Sequence, residues 1–487
     1  MVKVQQIYTG CLSQAAYYIE SNGEAAVVDP LRDPSPYLKK INDSNAKLKF
    51  VIETHFHADF VSGHVDLAKA TGATIVYGPS AMPHFGAKVA EDGEVLRIGG
   101  ATLTVLHTPG HTMESTTFYL KDEQGAPVAI FTGDTLFLGD VGRPDLAQKA
   151  AHMTTDGLAR LLFRSLRTKI MPLPDHILVY PGHGAGSACG KKLSSDTHTT
   201  LRKQLDTNYA LRANMTEDEF VKELTQGLPS PPEYFPQNVH MNKNVSKEFK
   251  DISSDGFTKL SASDLKQMLD ANVKSAELPL LVLDTRDAED FVNASIPGTV
   301  FAGIDGKFAV WLGNAFPEVH KWRVAFIPKD PSRTKEIVER LSRVGFDKLV
   351  GHLDGGFKSW TDAYPTRVMK SNRVDPAEMA AIMAKTGGKV NVVDVRAPGE
   401  VAKGKWRGST NVPLSGTGLK SLSNGEKDIY IYCAGAYRSL MFASALRSLY
   451  GYKGNVADIR GGYSQGIVPS KECKAFITSK PCPKSKL

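Results

Sequence analysis

Histidine and aspartate side chains recur in this sequence at spacings that suit a metal site. The candidate ligands lie in three short segments and are His55, His57, Asp59, His111 and Asp134. His55, His111 and Asp134 supply two imidazoles and one carboxylate, a set used by non-haem Fe(II) enzymes because it leaves open positions for O2 and substrate. Imidazole and carboxylate also suit Zn(II) and Mn(II), so these side chains alone predict a metal centre without fixing its ion.

The residue after Asp59 indicates how many metal ions this centre binds. A dinuclear hydrolase would combine Asp59, a histidine at position 60 and His183, but the chain has Phe60, which has no lone pair to donate. The sequence therefore predicts one ion. We expect His57, Asp59 and His183 to lie beside the ligands, with His57 as an alternative ligand.

Strand-like apolar runs precede the candidate ligands. Such runs occupy residues 49–53, 102–106, 128–131 and 177–180, and each ends shortly before a histidine or an aspartate of the set. Because these ligands leave the ends of strands, we expect them to meet along one edge of the sheets. Glycine directly precedes two of them, which allows backbone and ligand to approach closely.

A second group of side chains is typical of sulfur transfer. The apolar run 429–432 leads to Cys433, and a helix-like segment follows. Backbone N–H groups of such a loop, together with the helix N-terminus, stabilise a sulfur anion on Cys433. Arg438 can pair with a sulfite or thiosulfate oxyanion, and its Cys-x4-Arg spacing is one residue tighter than the Cys-x5-Arg of phosphate-binding loops. Gly435 and Ser439 belong to the same loop, and a buried inert thiol is the alternative interpretation.

The chain also contains an imperfect repeat of roughly 110 residues. Residues 281–286 match 392–396, and residues 352–357 match 458–463. Each copy alternates strand and helix, which is typical of a small parallel α/β domain. No cysteine occurs between residues 190 and 432, so we expect the first copy to be catalytically inactive.

Size and composition favour a multidomain protein that does not span a membrane. The 487 residues exceed one ordinary domain, and no apolar run reaches the ~18 residues of a membrane helix. The net charge of +7 comes from dispersed Lys and Arg, which argues against nucleic-acid binding and suits small anionic substrates. Five cysteines and the lack of an N-terminal signal pattern predict a reducing, cytoplasmic location. The final Ser485-Lys486-Leu487 would be a peroxisomal address only in a eukaryotic host.

Residues 1 to about 240 resemble the persulfide dioxygenases of the metallo-β-lactamase fold, which are relatives of the glyoxalase II thioesterases. The matching stretches are residues 54–64, 108–112, 131–137, 142–146 and 180–184. The resemblance implies one Fe(II) per chain, held by His55, His111 and Asp134. It also implies that O2 oxidises a thiol persulfide, of the glutathione, coenzyme A or bacillithiol type, to sulfite and free thiol.

Residues of about 375 to 470 resemble the rhodanese sulfurtransferases. The matching motifs are Asp394-Val395-Arg396, the Cys433 loop and Arg460-Gly461-Gly462-Tyr463. The resemblance implies a persulfide on a catalytic Cys433, an oxyanion contact from Arg438, and interconversion of sulfite and thiosulfate. One stretch departs from the family, because its usual Gly-His-Ile-Pro-Gly-Ala is Gly-Lys-Trp-Arg-Gly-Ser at residues 404–409. That change affects substrate approach and leaves the catalytic loop intact.

The whole chain resembles bacterial persulfide dioxygenase–rhodanese fusions with a tandem rhodanese tail. The resemblance predicts a multidomain α/β protein in three parts. These are a metallo-β-lactamase αββα sandwich over residues 1–240, a rhodanese-like domain without the catalytic cysteine over 257–370, and an active rhodanese domain over 374–475. We expect a homo-oligomer that binds neither nucleic acid nor membrane.

Four further residues are candidates near the metal pocket. Arg143 offers a planar fork for substrate carboxylates, and Lys191 offers a second positive contact. Tyr180 is expected to contact the substrate. Cys189 follows His183 closely and has either a redox or sulfur-accepting role or, as a buried inert thiol, none.

Two other functions remain open. A glyoxalase-II-like thioester hydrolase with an appended sulfurtransferase needs two metal ions per chain. A sulfur-relay or sensing protein would use the metal domain only for binding. Metal stoichiometry separates the first from a dioxygenase, and oxygen consumption with a persulfide separates the second.

Overall fold

The computed structural model describes residues 1–148, 152–191, 193–272 and 278–478. Residues 479–487 lie outside the described residues. They include Cys482, which has no predicted catalytic role, and Ser485-Lys486-Leu487, which would be a peroxisomal address only in a eukaryotic host. Among the described helices, none is long and apolar enough to cross a membrane.

The chain forms two compact units. The first comprises Met1–Pro231, Phe235–Phe249 and Ser342–Gly345, and the second comprises most of the chain from Lys250 onward. The first unit therefore contains every predicted metal ligand, and the second contains both copies of the repeat.

The first unit begins with a six-stranded sheet in the order β1-β2-β3-β4-β5-β6. Its strands are β1 (Lys3–Thr9), β2 (Gln14–Ser21), β3 (Glu24–Val28), β4 (Lys47–Ile52), β5 (Thr74–Tyr77) and β6 (Lys88–Val89). Strands β1 to β3 pair antiparallel, and β3 to β6 pair parallel. Nearly all residues of β2 and β3 are buried, because both faces of this sheet are covered.

A second six-stranded sheet has the order β12-β11-β10-β9-β8-β7. Its strands are β7 (Val95–Ile98), β8 (Ala101–His107), β9 (Thr116–Lys121), β10 (Pro127–Gly133), β11 (Leu178–Pro181) and β12 (Thr199–Thr200). Strands β10 and β11 pair parallel, and the other neighbours pair antiparallel. The ends of β8 and β10 therefore lead to predicted ligands from within one sheet.

The two sheets pack against each other, with helices on their outer faces. Apolar side chains of both sheets, among them Ile19, Val105 and Phe131, share one core. Separate clusters join each sheet to its helices. The helices are α1 (Ser35–Ser44), α2 (His64–Thr71), α3 (Thr155–Ser165), α4 (Leu201–Thr207), α5 (Glu217–Thr225) and α6 (Phe235–Lys243). This arrangement confirms the predicted αββα sandwich.

The second unit contains the two copies of the repeat, the first of which follows α7 (Phe249–Gly256). Its sheet is wholly parallel, in the order β13-β17-β16-β14-β15. The strands are β13 (Lys259–Leu260), β14 (Leu280–Asp284), β15 (Thr299–Phe301), β16 (Arg323–Ile327) and β17 (Leu349–Leu353). The helices are α8 (Ala262–Asn272), α9 (Ala288–Asn293), α10 (Phe308–Ala315), α11 (Thr334–Arg343) and α12 (Gly356–Ala363).

The second copy has an equivalent parallel sheet in the order β18-β23-β22-β19-β21, with β20 and β24 paired beside it. The strands are β18 (Asn372–Val374), β19 (Asn391–Asp394), β20 (Lys405–Trp406), β21 (Thr410–Asn411), β22 (Ile429–Tyr432), β23 (Val456–Ile459) and β24 (Ile477–Thr478). The helices are α13 (Pro376–Lys385), α14 (Pro398–Val401), α15 (Gly416–Ser421) and α16 (Tyr437–Leu449).

The Asp-x-Arg motif has the same structural role in both copies. Arg286 holds the buried Asp284 at 2.6 Å, and Arg396 holds the buried Asp394 at 2.7 Å. Each guanidinium also donates to a main-chain carbonyl oxygen at 2.7 Å. This motif fixes the loop after the central strand, whether or not the copy contains a cysteine.

Candidate metal centre and sulfur-transfer loop

The three predicted metal ligands converge at the ends of three strands. His55 follows β4, His111 follows β8, and Asp134 directly follows β10. His55 Nε2 lies 3.9 Å and His111 Nε2 lies 3.5 Å from Asp134 Oδ2. One donor atom from each residue lies within 4.8 Å of the other two, and all three residues are buried. These separations suit donors arranged around a single ion.

The chemistry of these donors fits a bound metal. His55 Nδ1 contacts Thr54 Oγ1 at 3.0 Å, and His111 Nδ1 donates to the carbonyl oxygen of Arg143 at 2.9 Å. A histidine whose Nδ1 is occupied in this way offers Nε2 to a metal. Asp134 Oδ2 is buried and has no hydrogen-bond partner among the described residues, as expected for an oxygen that binds an ion. Burial lowers the pKa of His55 well below its usual value, which favours the neutral ligating form.

A glycine is required where the chain passes behind the ligands. A Cβ at Gly142 would lie 2.0 Å from the carbonyl oxygen of Asp134 and 2.9 Å from His111 Nδ1. A side chain there would therefore displace both ligands. This explains the glycine at the start of the Gly-Arg-Pro-Asp-Leu stretch.

His183 holds Asp134, the predicted carboxylate ligand, in place. Its Nδ1 lies 2.8 Å from Asp134 Oδ1, and its Nε2 lies 2.8 Å from Asp59 Oδ2. Burial opposes protonation of His183, but the two carboxylates raise its pKa well above the usual value. An imidazolium that donates from both nitrogens has no lone pair for a metal. These contacts place His183 and Asp59 beside Asp134, and their supporting role at a metal centre stays a prediction.

His57 is held by two carboxylates that the sequence analysis did not identify. Its Nε2 lies 3.1 Å from Asp29 Oδ1 and 3.2 Å from Glu53 Oε2. Burial opposes protonation of His57, but Asp29 and Glu53 raise its pKa to about 10. Its ring stacks on Phe60, with centroids 4.3 Å apart. The sequence offered one signal for these partners, because Asp29 and Glu53 each directly follow a buried strand, as the predicted ligands do.

Cys189 lies beside Asp59 and His183, next to the candidate metal centre. Its sulfur belongs to a buried group with Asp59 and His183 whose atoms lie within 4.8 Å of one another. Burial, with the nearby Asp134 and Asp59 carboxylates, raises the pKa of the Cys189 thiol well above its usual value. The protonated, weakly nucleophilic form is therefore favoured, in line with the inert-thiol interpretation.

The residues predicted to contact substrate have internal partners instead. Arg143 is 2% exposed, and its Nε and Nη2 donate to both carboxylate oxygens of Asp145, at 2.7 and 2.6 Å. Lys191 Nζ donates to the carbonyl oxygens of Glu223 and Gln226, near the end of α5. Neither cation is thus available to a substrate carboxylate in this conformation.

Tyr180 belongs to the core between the sheets rather than to an open pocket. Its side chain is 9% exposed and packs against Tyr17 and Phe131, with ring centroids 5.1 and 5.4 Å away. That Arg143, Lys191 and Tyr180 contact the substrate stays a prediction, and in this structure all three side chains have internal partners. The sequence could not reveal these partners, because they depend on packing.

Cys433 occupies the predicted position between β22 and α16. Its side chain is 1% exposed. The turn Gly461-Gly462 packs against the loop, and the next residue, Tyr463, donates its N–H to Cys433 O at 2.6 Å. Gly462 has φ of +59°, and a Cβ there would lie 2.5 Å from Cys433 O. The Gly-Gly pair is therefore needed to support the cysteine loop. A Cβ at Gly435 would meet nothing closer than 3.9 Å, so that glycine is not required by packing.

Arg438 lies near the cysteine but is held by a neighbouring carboxylate. Its Nη1 and Nη2 donate to Glu400 at 2.7 and 2.8 Å. Its guanidinium carbon lies 4.6 Å from the ring centroid of Trp311, which belongs to the first copy. Glu400 and Trp311 thus orient the positive charge beside Cys433, and an arriving oxyanion would compete with Glu400 for it.

The equivalent loop of the first copy is closed by ion pairs. Pro328 takes the place of the cysteine after β16. Lys329 Nζ lies 2.8 Å from both Asp287 and Asp305, and Arg333 Nη1 lies 2.7 Å from Asp305. This loop has no cysteine, and its two cations are engaged by carboxylates; that the first copy is catalytically inactive stays a prediction.

Comparisons with known proteins support the same organisation. The model of the Metallo-beta-lactamase superfamily matches residues 9–183, and that of the Rhodanese-like domain matches residues 261–363 and 375–466. The crystal structure of a metallo-beta-lactamase from Staphylococcus aureus subsp. aureus COL is 30% identical, with a TM-score of 0.61, and covers 72% of this chain and 98% of that chain.

Two curated relatives have different activities. The human mitochondrial persulfide dioxygenase ETHE1 is 31% identical over 215 residues, which cover 43% of this chain and 74% of that protein. The cytoplasmic hydroxyacylglutathione hydrolase of Arabidopsis thaliana is 34% identical over 178 residues, which cover 36% of this chain. The chain spans only 65% of the length of that hydrolase.

The fold, the His/Asp donor set and these likenesses together define the class. The chain belongs to the metallo-β-lactamase superfamily. It is a member in which two rhodanese-like domains follow the metal-binding fold.

Proposed function

We propose that this protein oxidises a low-molecular-weight thiol persulfide with O2 at a single Fe(II), and that Cys433 exchanges sulfur between sulfite and thiosulfate. The observation that carries the proposal is the donor set. His55, His111 and Asp134 converge, whereas His183, which a second ion would need, bridges Asp134 and Asp59.

The site supports this activity over thioester hydrolysis, which the sequence relatives leave equally open. A hydrolytic dinuclear centre needs a nitrogen or oxygen donor at position 60, and Phe60 is fully buried there against His57. Two histidines and one carboxylate leave several positions of an iron ion open for substrate and O2.

Five side chains would bind the metal ion, orient its carboxylate ligand and exclude bulk water. His55, His111 and Asp134 would hold the iron, which supplies open coordination positions and redox electrons when bound. Asp59 and His183 fix the orientation of Asp134 through two hydrogen bonds. All five side chains are buried, so the protein keeps bulk water away from the ligands.

The oxidation balances as R–S–SH + O2 + H2O → R–SH + H2SO3. The S–S bond of the persulfide breaks, and the sulfur that leaves loses four electrons, which O2 accepts. Water supplies the third oxygen of sulfite. The sulfur atom of the carrier is counted at the oxidation state of a thiol throughout, and the carrier leaves as the free thiol R–SH.

The sulfur-transfer step involves no net oxidation. A persulfide anion on Cys433 transfers its outer sulfur to sulfite, which forms thiosulfate and leaves the Cys433 thiolate. Cys433 receives its outer sulfur from a second thiol persulfide, whose carrier leaves as the free thiol, or from thiosulfate in the reverse reaction, which releases sulfite. Arg438, positioned by Glu400, is the cation beside the reacting oxyanion.

The experiment that tests this proposal follows one reactant and two products in one reaction. Protein loaded anaerobically with Fe(II) receives glutathione persulfide, and oxygen uptake, sulfite and thiosulfate are measured. Cys433→Ser should keep the oxygen uptake and lose thiosulfate formation. Cys473→Ser, which removes a buried cysteine of the same domain, is the matched control and should keep both.

The second candidate, a thioester hydrolase, has one structural observation in its favour. Asp59, His183 and Cys189 place donor atoms within 4.8 Å, as a second ion would require. Hydrolysis of S-lactoylglutathione with two bound metal ions, and no oxygen uptake with any thiol persulfide, would establish this function instead. A lack of both reactions would leave the relay or sensing protein.

A further inference from the structure

A serine hydroxyl in the Cys433 loop has two competing acceptors. Ser439 Oγ lies 3.6 Å from Cys433 Sγ and 2.5 Å from Asp458 Oδ1. Ser439 is fully buried and Asp458 is 1% exposed, so bulk water does not satisfy these groups. Because a hydroxyl carries one hydrogen, Ser439 donates either to the carboxylate or to the sulfur, and not to both.

Asp458 lies on β23 and faces charged or polar groups on several elements. Arg373 of β18 donates from Nε to Asp458 Oδ2 at 2.9 Å, and its Nη1 donates to Glu289 of α9 at 2.5 Å. Ser439 approaches from α16, and Cys433 lies beyond it on the loop after β22. Burial raises the pKa of Asp458 to about 6, against the opposing effect of Arg373. Both protonation states are therefore accessible near neutral pH.

The inactive copy keeps the hydroxyl but lacks the carboxylate. Aligning the two sheets by their strand register places His352 of β17 at the position of Asp458. The same alignment, carried along the chain, places Pro328 at the position of Cys433 and Thr334 at that of Ser439. Thr334 Oγ1 donates to a main-chain carbonyl oxygen at 2.8 Å. Of the two copies, only the one with the cysteine has this hydroxyl–carboxylate pair.

We propose that Asp458 is a positioning residue that sets the direction of the Ser439 hydrogen bond and thereby controls the stability of a sulfur anion on Cys433. This inference rests on the proposed sulfur-transfer function. Ionised Asp458 accepts the Ser439 proton, so Ser439 presents an oxygen lone pair to the sulfur. Protonated Asp458, having taken one proton from solvent, donates to Ser439 Oγ, and Ser439 donates to the thiolate or persulfide anion.

The substitution Asp458→Asn distinguishes this role from a purely structural one. Arg373 approaches the Oδ2 side with donors only, so the asparagine carbonyl oxygen must face Arg373. Its NH2 group then faces Ser439 and donates to Oγ. Asp458→Asn should therefore reproduce the effect of protonated Asp458 at every pH.

The test is the pH profile of thiosulfate–cyanide sulfurtransferase turnover by the full-length protein. We expect Asp458→Asn to match the wild type near pH ~5 and to exceed it about tenfold near pH ~8, the scale of one hydrogen bond to a charged group. In a Ser439→Ala background, the same substitution should change the rate equally at both pH values, because no hydroxyl remains to be redirected. Mass spectrometry of the peptide containing Cys433 reports the persulfide in each case.

Two results would overturn the inference. One is a ratio of the Asp458→Asn rate to the wild-type rate that does not vary with pH. The other is a pH-dependent ratio that persists in the Ser439→Ala background. If Asp458→Asn does not fold, Ser439→Ala alone is tested. It must remove the part of the pH dependence of the wild-type rate that is attributed to Asp458. A wild-type protein that never forms a persulfide on Cys433 would instead refute the proposed function itself.

Discussion

At the scale of single residues, the metal centre depends on which histidines are free to bind. His57 and His183 both stand close to the ligands, and both are engaged by buried carboxylates. Those carboxylates raise the pKa of both imidazoles, which favours the protonated form that cannot bind a metal. The candidate ligand set thus depends on carboxylates that directly follow β3, β4 and β10, as well as on the histidines.

Removal of His57 provides the residue-scale prediction. His57→Ala should retain about one metal ion per chain after anaerobic loading and desalting, because His57 is paired with Asp29 and Glu53. His111→Ala should lose most of the metal, because it removes one of three ligands. Inductively coupled plasma mass spectrometry measures both. A His57→Ala protein that binds metal as poorly as His111→Ala would show that His57 is a ligand.

At the scale of elements, the sulfur-transfer loop depends on a glycine far from it in sequence. Gly462 adopts φ of +59° directly beneath Cys433 O. Gly408 adopts φ of +78°, but a Cβ there would meet nothing within 4 Å. The two positions share a left-handed backbone and differ in the space around them.

Alanine at these two glycines should separate strain from steric clash. Gly408→Ala should cost on the order of 1 kcal/mol of unfolding free energy, from its backbone conformation alone, and leave sulfurtransferase activity unchanged. Gly462→Ala should cost more and abolish the activity, because its methyl group displaces the Cys433 loop. Denaturant titration and the thiosulfate–cyanide assay measure the two effects. Equal activities of the two variants would contradict this account of the loop.

The same elements show what could be predicted from sequence. Apolar runs correctly located β4, β8, β10, β11 and β22, because buried strands leave a compositional signal. The strand β9 (Thr116–Lys121) was not predicted, since its apolar run is only three residues long, from Phe118 to Leu120. The ligands were identified from motifs at strand ends. Asp458 could not be identified from the sequence, because its pairing with Ser439 depends on the register of β23 beside β22.

Electrostatic partners were the other limit of prediction from sequence. Arg143 has the side chain suited to a substrate carboxylate, yet Asp145 two residues later satisfies it. Glu400, which lies in α14, is the corresponding partner of Arg438. Residue type indicates what a group can bind, whereas only packing shows which partner it has.

At the scale of the whole molecule, the proposed reactions share an intermediate. The metal-binding unit would release sulfite, and the second rhodanese-like domain would consume it to form thiosulfate. The first rhodanese-like copy contributes Trp311 against Arg438 and a carbonyl acceptor, Gly303 O, at 2.6 Å from Tyr437 Oη. The first copy therefore packs against the residues that follow the Cys433 loop within their common unit.

The central claim, oxygen chemistry at one iron ion, is tested most directly by a stoichiometric titration. Metal-free protein is titrated anaerobically with Fe(II), and the initial rate of oxygen uptake with glutathione persulfide is measured at each point. The account predicts a linear rise that ends at about one iron per chain. A rise that ends at two, or no oxygen uptake with one iron bound, would contradict it.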